Sequence, residues 1–342
     1  MSPATTPGVR LRRAGILEQV EVPVPQPGPG EALVRVTSVG LCGSDAHWFD
    51  EGGIGDASLT DSGLILGHEF AGVIESGPRS GERVVGDPAI PCQECEMCSI
   101  GRSNLCLRLR FAGHGTTDGA LRGHLVWPER CLVPLPDSVP EDVGAILEPL
   151  GVALHAIDLA GPTGEPNVAV IGCGPIGLLL VAALRRRGAI RIVATDTLSH
   201  RTEKALVVGA DDAPVATEAN DEIDSLQASV PGGFDVVFDA AGTDPAMRTA
   251  LSAVRPGGRV ILVGIPPGDR TSFTASLARR KEVTLALCRR MLPCDLLRAV
   301  ELAGEGSIDL ESLVSHRFSL SSAGEAFSML IQRGGLKVLV KP

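Results

Sequence analysis

No tyrosine occurs among the 342 residues, so no phenol is available to any site in the chain. Basic charge is also short: 31 Lys and Arg stand against 41 Asp and Glu, for a formal net charge of -10. A nucleic acid or an anionic membrane surface calls for a basic face, so neither is expected as a partner, and the dispersed acidity reads as solubility. Residues 1–8 hold no positive segment leading into an apolar one, which argues against secretion and for a cytoplasmic protein. A run from Val168 to Leu184 is free of charge for seventeen residues, but it is short for a membrane span and is broken by Gly172, Gly174, Pro175 and Gly177. There is no internal repeat and no low-complexity tract. A chain of 342 residues is too long for one small core and suits two domains.

What is present begins with four cysteines, Cys92, Cys95, Cys98 and Cys106, in PCQECEMCSIGRSNLC. That spacing lets one loop present four thiolates to a tetrahedral Zn2+, a closed shell that reads as structural. Two disulfides are the alternative, disfavoured by the missing export signal. The other five cysteines, Cys42, Cys131, Cys173, Cys288 and Cys294, lie outside the cluster, and most read as small buried residues.

Up to about residue 150 the chain is rich in Gly and Pro, with short β-type runs such as Ala32 to Val39, Gly72 to Glu75 and Arg83 to Val85. This predicts an irregular, barrel-like β unit. From Asn167 strands alternate with helices: VAVIG, a helix to Arg187, RIVATD, a helix through Lys204 to Val208, FDVVFDA, a helix through Ala246 to Val254, and RVILVG. That rhythm predicts a doubly wound parallel sheet, so the fold class is α/β with a β-rich companion. After Cys288 an α/β tail ends in KVLVKP.

In VAVIGCGPIGLLLVAAL the GxGxxG of Gly172, Gly174 and Gly177 follows a strand and opens a helix, the context in which it binds a dinucleotide pyrophosphate. The next strand ends at Asp196, nineteen residues past Gly177, where a carboxylate accepts ribose hydroxyls and repels a 2′-phosphate. NAD is therefore expected rather than NADP. Arg201 is the reservation: it reads either as a phosphate partner or as a surface residue alongside the adenine.

Two stretches combine metal-ligand types with small neighbours, GLCGSDAH around Cys42 and Gly67-His68-Glu69, and a third, LEPL, carries Glu148. Cys42 and His68 with a carboxylate make three protein ligands and one open position, the catalytic zinc pattern. Taken singly, each has a structural explanation; Glu148 also reads as a helix N-terminal acid.

In this order, CGSDAH, GHEFAGVI, the four-cysteine lobe, DGAL, LEPLGVALHA, GCGPIG, VFDAAG, RPGGRVILVG and GLKVLVKP resemble the zinc-dependent medium-chain dehydrogenase/reductase family, especially its polyol (sorbitol-type) branch. The resemblance covers essentially the whole chain. It implies a GroES-like catalytic domain from residues 1–151 and 288–342, with a structural-zinc lobe at about 90–110, and a Rossmann NAD-binding domain at 152–287. It implies two zinc ions per chain, one catalytic and one structural. Cys42, His68 and Glu69 become ligands of the catalytic zinc, with Glu148 touching that metal directly or through water; the choice between Glu69 and Glu148 stays open. Ser44 and His47 match a proton relay through the nicotinamide ribose, and the zinc acts as a Lewis acid while hydride passes to the nicotinamide. For the cofactor, Pro175, Ile176, Asp196, Arg201, Val263, Gly264, Ile265, Cys288, Arg289 and Arg290 match contact positions. Trp48, Glu148, Arg290 and Met291 match the substrate wall. In the polyol branch the positions of Trp48 and Met291 are commonly tyrosines, so a linear hexitol is disfavoured against a diol, a cyclic polyol or an aminocyclitol. A dehydrogenase for threonine, butanediol or another secondary alcohol is the nearest alternative, and a non-catalytic nucleotide-binding protein a more distant one. The family resemblance implies a homodimer or homotetramer.

Overall fold

A computed structural model of the chain describes residues 4–342 apart from Thr163, Glu165 and Glu218, and gives only the backbone of Ala219 and Asn220. The chain divides into two compact units, Met1–Gly151 with Met291–Pro342, and Val152–Arg290.

The first unit is built on a seven-stranded sheet. Its order runs Leu132–Pro134, Arg83–Gly86, Glu69–Ile74, Glu31–Gly40, Lys337–Lys341, Val314–Ser319, with His124–Pro128 also pairing to Glu31–Gly40. Glu31–Gly40 is central because alternate residues of EALVRVTSVG are apolar: Ala32, Val34 and Val36 face the core while Glu31, Arg35 and Thr37 do not. Phe70 packs edge-on to Trp127 at 5.8 Å beneath this strand, and Phe327 joins the same core from helix Ala323–Ile331. In register, Gly40 lies opposite Glu69 on one side and Leu339 on the other. The expected strands are present: Ala32 to Val39 and Arg83 to Val85 are extended by a residue at one or both ends, while the strand expected at Gly72 to Glu75 begins earlier, at Glu69, and ends at Ile74. The sequence reading assigned no strands to the hairpin of Thr5–Arg13 with Ile16–Pro23, which forms a second sheet with Leu64–Ile65.

The second unit is a five-stranded sheet in which every pair is parallel. Its order is Arg191–Thr195, Asn167–Ile171, Phe234–Asp239, Val254–Leu262, Thr284–Leu287. Helices Pro175–Arg186, Ser199–Val207 and Asp244–Ala253 lie between these strands in sequence, where the alternating pattern predicts them; Ala219–Ser229 and Ala275–Arg280 are further helices that the pattern does not predict. Fully buried strands explain the unbroken apolar runs, with Val168, Ala169 and Val170 all at 0% exposure. Beyond the Arg191–Thr195 edge two isolated parallel bridges, Val193 with Asp212 and Asp196 with Val215, extend the sheet. The order reverses between Asn167–Ile171 and Phe234–Asp239, which makes the carboxyl ends of these strands the crevice of a doubly wound sheet. Among the described residues no helix is long and apolar enough to cross a membrane.

Candidate functional site

At that crevice the glycine-rich turn is fixed by steric limits. Gly172 adopts φ 93°, and a Cβ there would lie 2.8 Å from the Ala241 nitrogen. A Cβ on Gly177 would fall 1.8 Å from the Gly172 carbonyl oxygen, so no larger residue fits either place. Helix Pro175–Arg186 then begins at Gly174 with no side-chain cap, leaving its first N–H groups for an anion such as a pyrophosphate.

Asp196 does more than the sequence implies. Its Oδ2 accepts from the Cys173 N–H at 2.8 Å and its Oδ1 from Leu198 N–H at 3.0 Å, so the carboxylate ties the strand end to the glycine turn while keeping lone pairs for a ribose. Arg201 Nη1 lies 3.8 Å from Asp196 Oδ2 with 13% of its side chain exposed, placing this arginine inside the crevice rather than on the open surface. Asp239, one strand over, holds the opposite rim. Its Oδ1 accepts from Ala241 and Gly242 N–H at 3.0 and 2.8 Å, and its carbonyl accepts from Val263 and Gly264 N–H at 2.8 and 2.9 Å. Ile265, just beyond, is 41% exposed. Cys288 N–H bonds the Leu262 carbonyl at 2.8 Å, and Arg290 stands in the left-handed region at φ 57°.

In the first unit Cys42, His68 and Glu69 form one group, with a ligand atom from each within 4.8 Å of the others. Thiolate, imidazole and carboxylate are the donors zinc takes, so these residues fit it, and Glu148 is outside the group. Asp45, inside the same CGSDAH stretch as Cys42, organises them. Cys42 caps helix Gly43–Glu51 and its N–H donates to Asp45 Oδ2 at 2.9 Å; Asp45 Oδ1 receives Gly67 N–H at 3.3 Å and faces His68 Nδ1 at 3.6 Å. Burial pushes the Asp45 carboxyl up, but the charge and hydrogen bond of His68, with the Cys42 and Gly67 amides, hold it below its usual range. His68 is affected in reverse: burial opposes its charge, yet Asp45 and Cys42 raise its pKa well above the usual value. A carboxylate on Nδ1 fixes the ring and leaves Nε2 to the metal position, where Ser44 Oγ stands 3.5 Å away.

Ser44 and His47 share a helix face, three residues apart. His47 Nδ1 pairs with Glu51 Oε1 at 2.9 Å and is part-exposed, as the outer end of a proton path requires. Glu148 lies in the first turn of helix Leu147–Leu159 at 4% exposure. Burial pushes its carboxyl up to about 8; the His68 charge offsets part of this and Glu69 adds to it.

Trp48 is 2% exposed and meets His114 edge-on at 5.5 Å, while Phe111 lies 5.4 Å from the His68 ring and 6.4 Å from His114. Trp48, Phe111 and His114 thus form an aromatic wall beside the metal group. Phe111 and His114 are absent from the sequence reading, because an isolated Phe and His in a glycine-rich loop carry no periodic signal. Met291 is 3% exposed and packs against Gly151, where a Cβ would lie 2.4 Å from its sulfur, one helical turn from Glu148.

The four-cysteine lobe has the dimensions of a zinc site. Cys95 Sγ is 3.6 Å from Cys98 Sγ and 3.8 Å from Cys106 Sγ, and all four sulfurs lie within 4.8 Å of one another. A tetrahedron with sulfur about 2.3 Å from its centre has edges of about 3.8 Å, whereas a disulfide needs about 2.05 Å. Among the described residues no disulfide is formed. Backbone hydrogen bonding, led by Glu94, outweighs desolvation and lowers the Cys92 thiol to about 6; Arg108 donates to the same sulfur at 3.5 Å.

The chain matches the family model described as alcohol dehydrogenase GroES-like domain over residues 28–137, and that of zinc-binding dehydrogenase over 175–304. An L-idonate 5-dehydrogenase of Vitis vinifera is 36% identical over 329 residues, covering 93% of this chain and 89% of the relative. Sorbitol dehydrogenase of Gallus gallus is 34% identical over 341 residues, covering 97% and 95%. Among solved structures, a candidate zinc-binding dehydrogenase of Sinorhizobium meliloti 1021 bound to NADP superposes with TM-score 0.89 at 30% identity, covering 99% of this chain and 100% of that one.

Two outcomes follow from this geometry. Cys95→Ser removes one thiolate from the closed lobe, so the protein is expected to carry one zinc fewer per chain and to melt about 5 °C lower or more, with turnover affected less; metal analysis and calorimetry check this. Burial raises the Asp239 carboxyl from 3.8 to about 6, against the pull of the Gly242 and Ala241 amides. The folded state therefore binds this proton more tightly than the unfolded chain, and stability is lost as pH rises from about 4 through about 6. Asp239→Asn keeps an acceptor for the two amides, so urea unfolding is expected to show a gain of up to about 3 kcal/mol at pH 8 that vanishes near pH 4.

Proposed function

The chain belongs to the zinc-dependent medium-chain dehydrogenase family, and we propose that it oxidises a secondary hydroxyl of a polyol-like substrate to a ketone with NAD as hydride acceptor. Within the family it is an NAD(P)-dependent zinc alcohol/polyol dehydrogenase with a GroES-like domain and a Rossmann sheet. The observation that carries the proposal is the Cys42, His68 and Glu69 group with Ser44 Oγ at His68 Nε2. Bound zinc supplies a Lewis acid for the substrate oxygen and bound nicotinamide the hydride acceptor. The chain's own residues supply position and proton transfer. Cys42, His68 and Glu69 hold the metal, and Asp45 holds Cys42 and His68. Ser44 takes the hydroxyl proton, and His47, on the same helix face and open to solvent, releases it. Gly172, Gly174 and Gly177 seat the pyrophosphate, with Pro175 and Ile176 opening the helix above it. Val263, Gly264 and Ile265, with Cys288, Arg289 and Arg290, form the nicotinamide side.

NAD is favoured by Asp196, whose carboxylate repels a 2′-phosphate, and by Arg201, whose charge is turned toward Asp196. The substrate class rests on the wall. Two relatives are named for L-idonate and sorbitol. Here Trp48 and Phe111 present rings, Met291 lies buried, and His114 is the polar group beside Trp48. A diol, cyclic polyol or aminocyclitol suits that wall better than a linear hexitol, with Glu148 as a further polar contact. Assembly into a homodimer or homotetramer is part of the same reading.

The test is a substrate panel of polyols, cyclitols, diols, threonine and simple secondary alcohols with zinc-loaded protein, following NADH and NADPH absorbance in parallel. Rapid NAD reduction by a polyol or cyclitol is expected; no turnover anywhere in the panel overturns the proposal, and preference for threonine or butanediol redirects it. Ser44→Ala is expected to lower kcat about 100-fold with zinc content unchanged. His114→Ala should raise KM for the best polyol about tenfold and leave a monohydric alcohol within about twofold, because only the former loses a hydrogen bond.

A further inference from the structure

Lys337 is 1% exposed, as is its partner Glu69. The two sit on strands that are not neighbours: Glu31–Gly40 runs between Glu69–Ile74 and Lys337–Lys341. They meet over Gly40, where Lys337 Nζ contacts Glu69 Oε2. A Cβ on Gly40 would fall 2.1 Å from Glu69 Oε2 and 2.8 Å from Lys337 Cε, so the bare glycine is what lets the pair form. The same ammonium donates to the Leu41 carbonyl at 2.9 Å, one residue before Cys42. One buried cation therefore touches both segments that supply the metal group.

We propose that Lys337 is a positioning residue that competes with the catalytic metal for the Glu69 carboxylate and so sets how strongly that ligand binds. This rests on the reading of Cys42, His68 and Glu69 as a metal site. A buried carboxylate needs a positive partner, and here two cations draw on one carboxylate, so each weakens the other's hold. With Oε2 engaged by Lys337, Glu69 offers the metal its other oxygen with part of its charge already neutralised. Without the ammonium, the full negative charge of Glu69 falls to the metal. Arginine in its place presents a planar fork that engages both carboxylate oxygens and draws the ligand away.

The substitutions Lys337→Met and Lys337→Arg therefore act on metal affinity with opposite signs. Zinc affinity is measured on the full chain by competition with a chromophoric chelator, with Cys42→Ser as the blank that reports the four-cysteine lobe alone. Lys337→Met is expected to bind zinc about tenfold tighter and to show a larger zinc-induced rise in Tm, and Lys337→Arg to bind about tenfold weaker. With cobalt(II) in the site, the visible band left after subtracting the Cys42→Ser spectrum is expected to shift in Lys337→Met. A Lys337→Met chain that folds only when zinc is supplied supports the proposal, since the metal then replaces the lost cation. Affinities within twofold of the parent, or a change of the same sign in both variants, overturn it and leave Lys337 a structural strut. If Cys42→Ser retains both zinc ions, the site reading itself fails, whatever the Lys337 variants do.

Discussion

Concentrated negative charge inside a protein is the constraint from which the catalytic unit is built. Asp45, Glu69 and Glu148 are each no more than 4% exposed, and Cys42 adds a thiol that acts as an anion when it ligates. An unpaired buried charge costs several kcal/mol, so each needs a specific answer. Asp45 is answered by two backbone amides and His68, Glu69 by Lys337, and Glu148 by holding its proton up to about 8. The three answers leave Cys42, His68 and Glu69 with a ligand atom each within 4.8 Å of one another, a group that fits a divalent cation as the remaining compensation. On the proposed reading, the group carries a surplus of negative charge that a metal would offset, and Gly40 of the central strand lies opposite Glu69.

The nucleotide unit meets the same constraint with backbone rather than ions. Asp196 and Asp239 stand at the carboxyl ends of parallel strands, and each spends its oxygens on the N–H groups of the turn that follows or adjoins it. This shapes two glycine turns through backbone hydrogen bonds. Asp239 is less well compensated than Asp196: its Oδ2 lacks a hydrogen-bond partner among the described residues, and burial lifts its pKa to about 6. Rigidity of the crevice rim is obtained here at some cost in stability near neutral pH.

The legible parts of the sequence are those whose meaning is local. GCGPIG is readable because the strand, the turn and the helix are contiguous, and the four cysteines because one loop carries all four ligands. The strand alternation in EALVRVTSVG and the apolar run in VAVI show burial on one face or two. Lys337 is opaque for the opposite reason: its partner lies near the other end of the chain, and only the sheet order, with Glu31–Gly40 between their strands, brings it over Gly40. Asp45 lies inside a motif that names the family, yet its work is done by helix-capping geometry, which a motif does not display. The distinction between Glu69 and Glu148 also needs coordinates, since both are acids beside small residues; only Glu69 joins Cys42 and His68 within 4.8 Å.

The missing tyrosine acquires a structural meaning from the wall around this group. Where a phenol would offer a hydroxyl, Trp48 offers a buried ring turned edge-on to His114. Met291 fills the groove over Gly151, on the helix face that carries Glu148, so its thioether supports that helix rather than adding a polar contact. Ser44, at His68 Nε2, is a hydroxyl at the metal group, and His114 and Glu148 are polar groups near it, where tyrosines would offer phenols. On the proposed reading, such a wall would recognise one or two oxygen atoms and leave the outer hydroxyls of a longer polar chain unpaired. Specificity of that kind would favour a compact substrate with its hydroxyls close together, which is the physical ground for proposing cyclic and short polyols ahead of the linear hexitols.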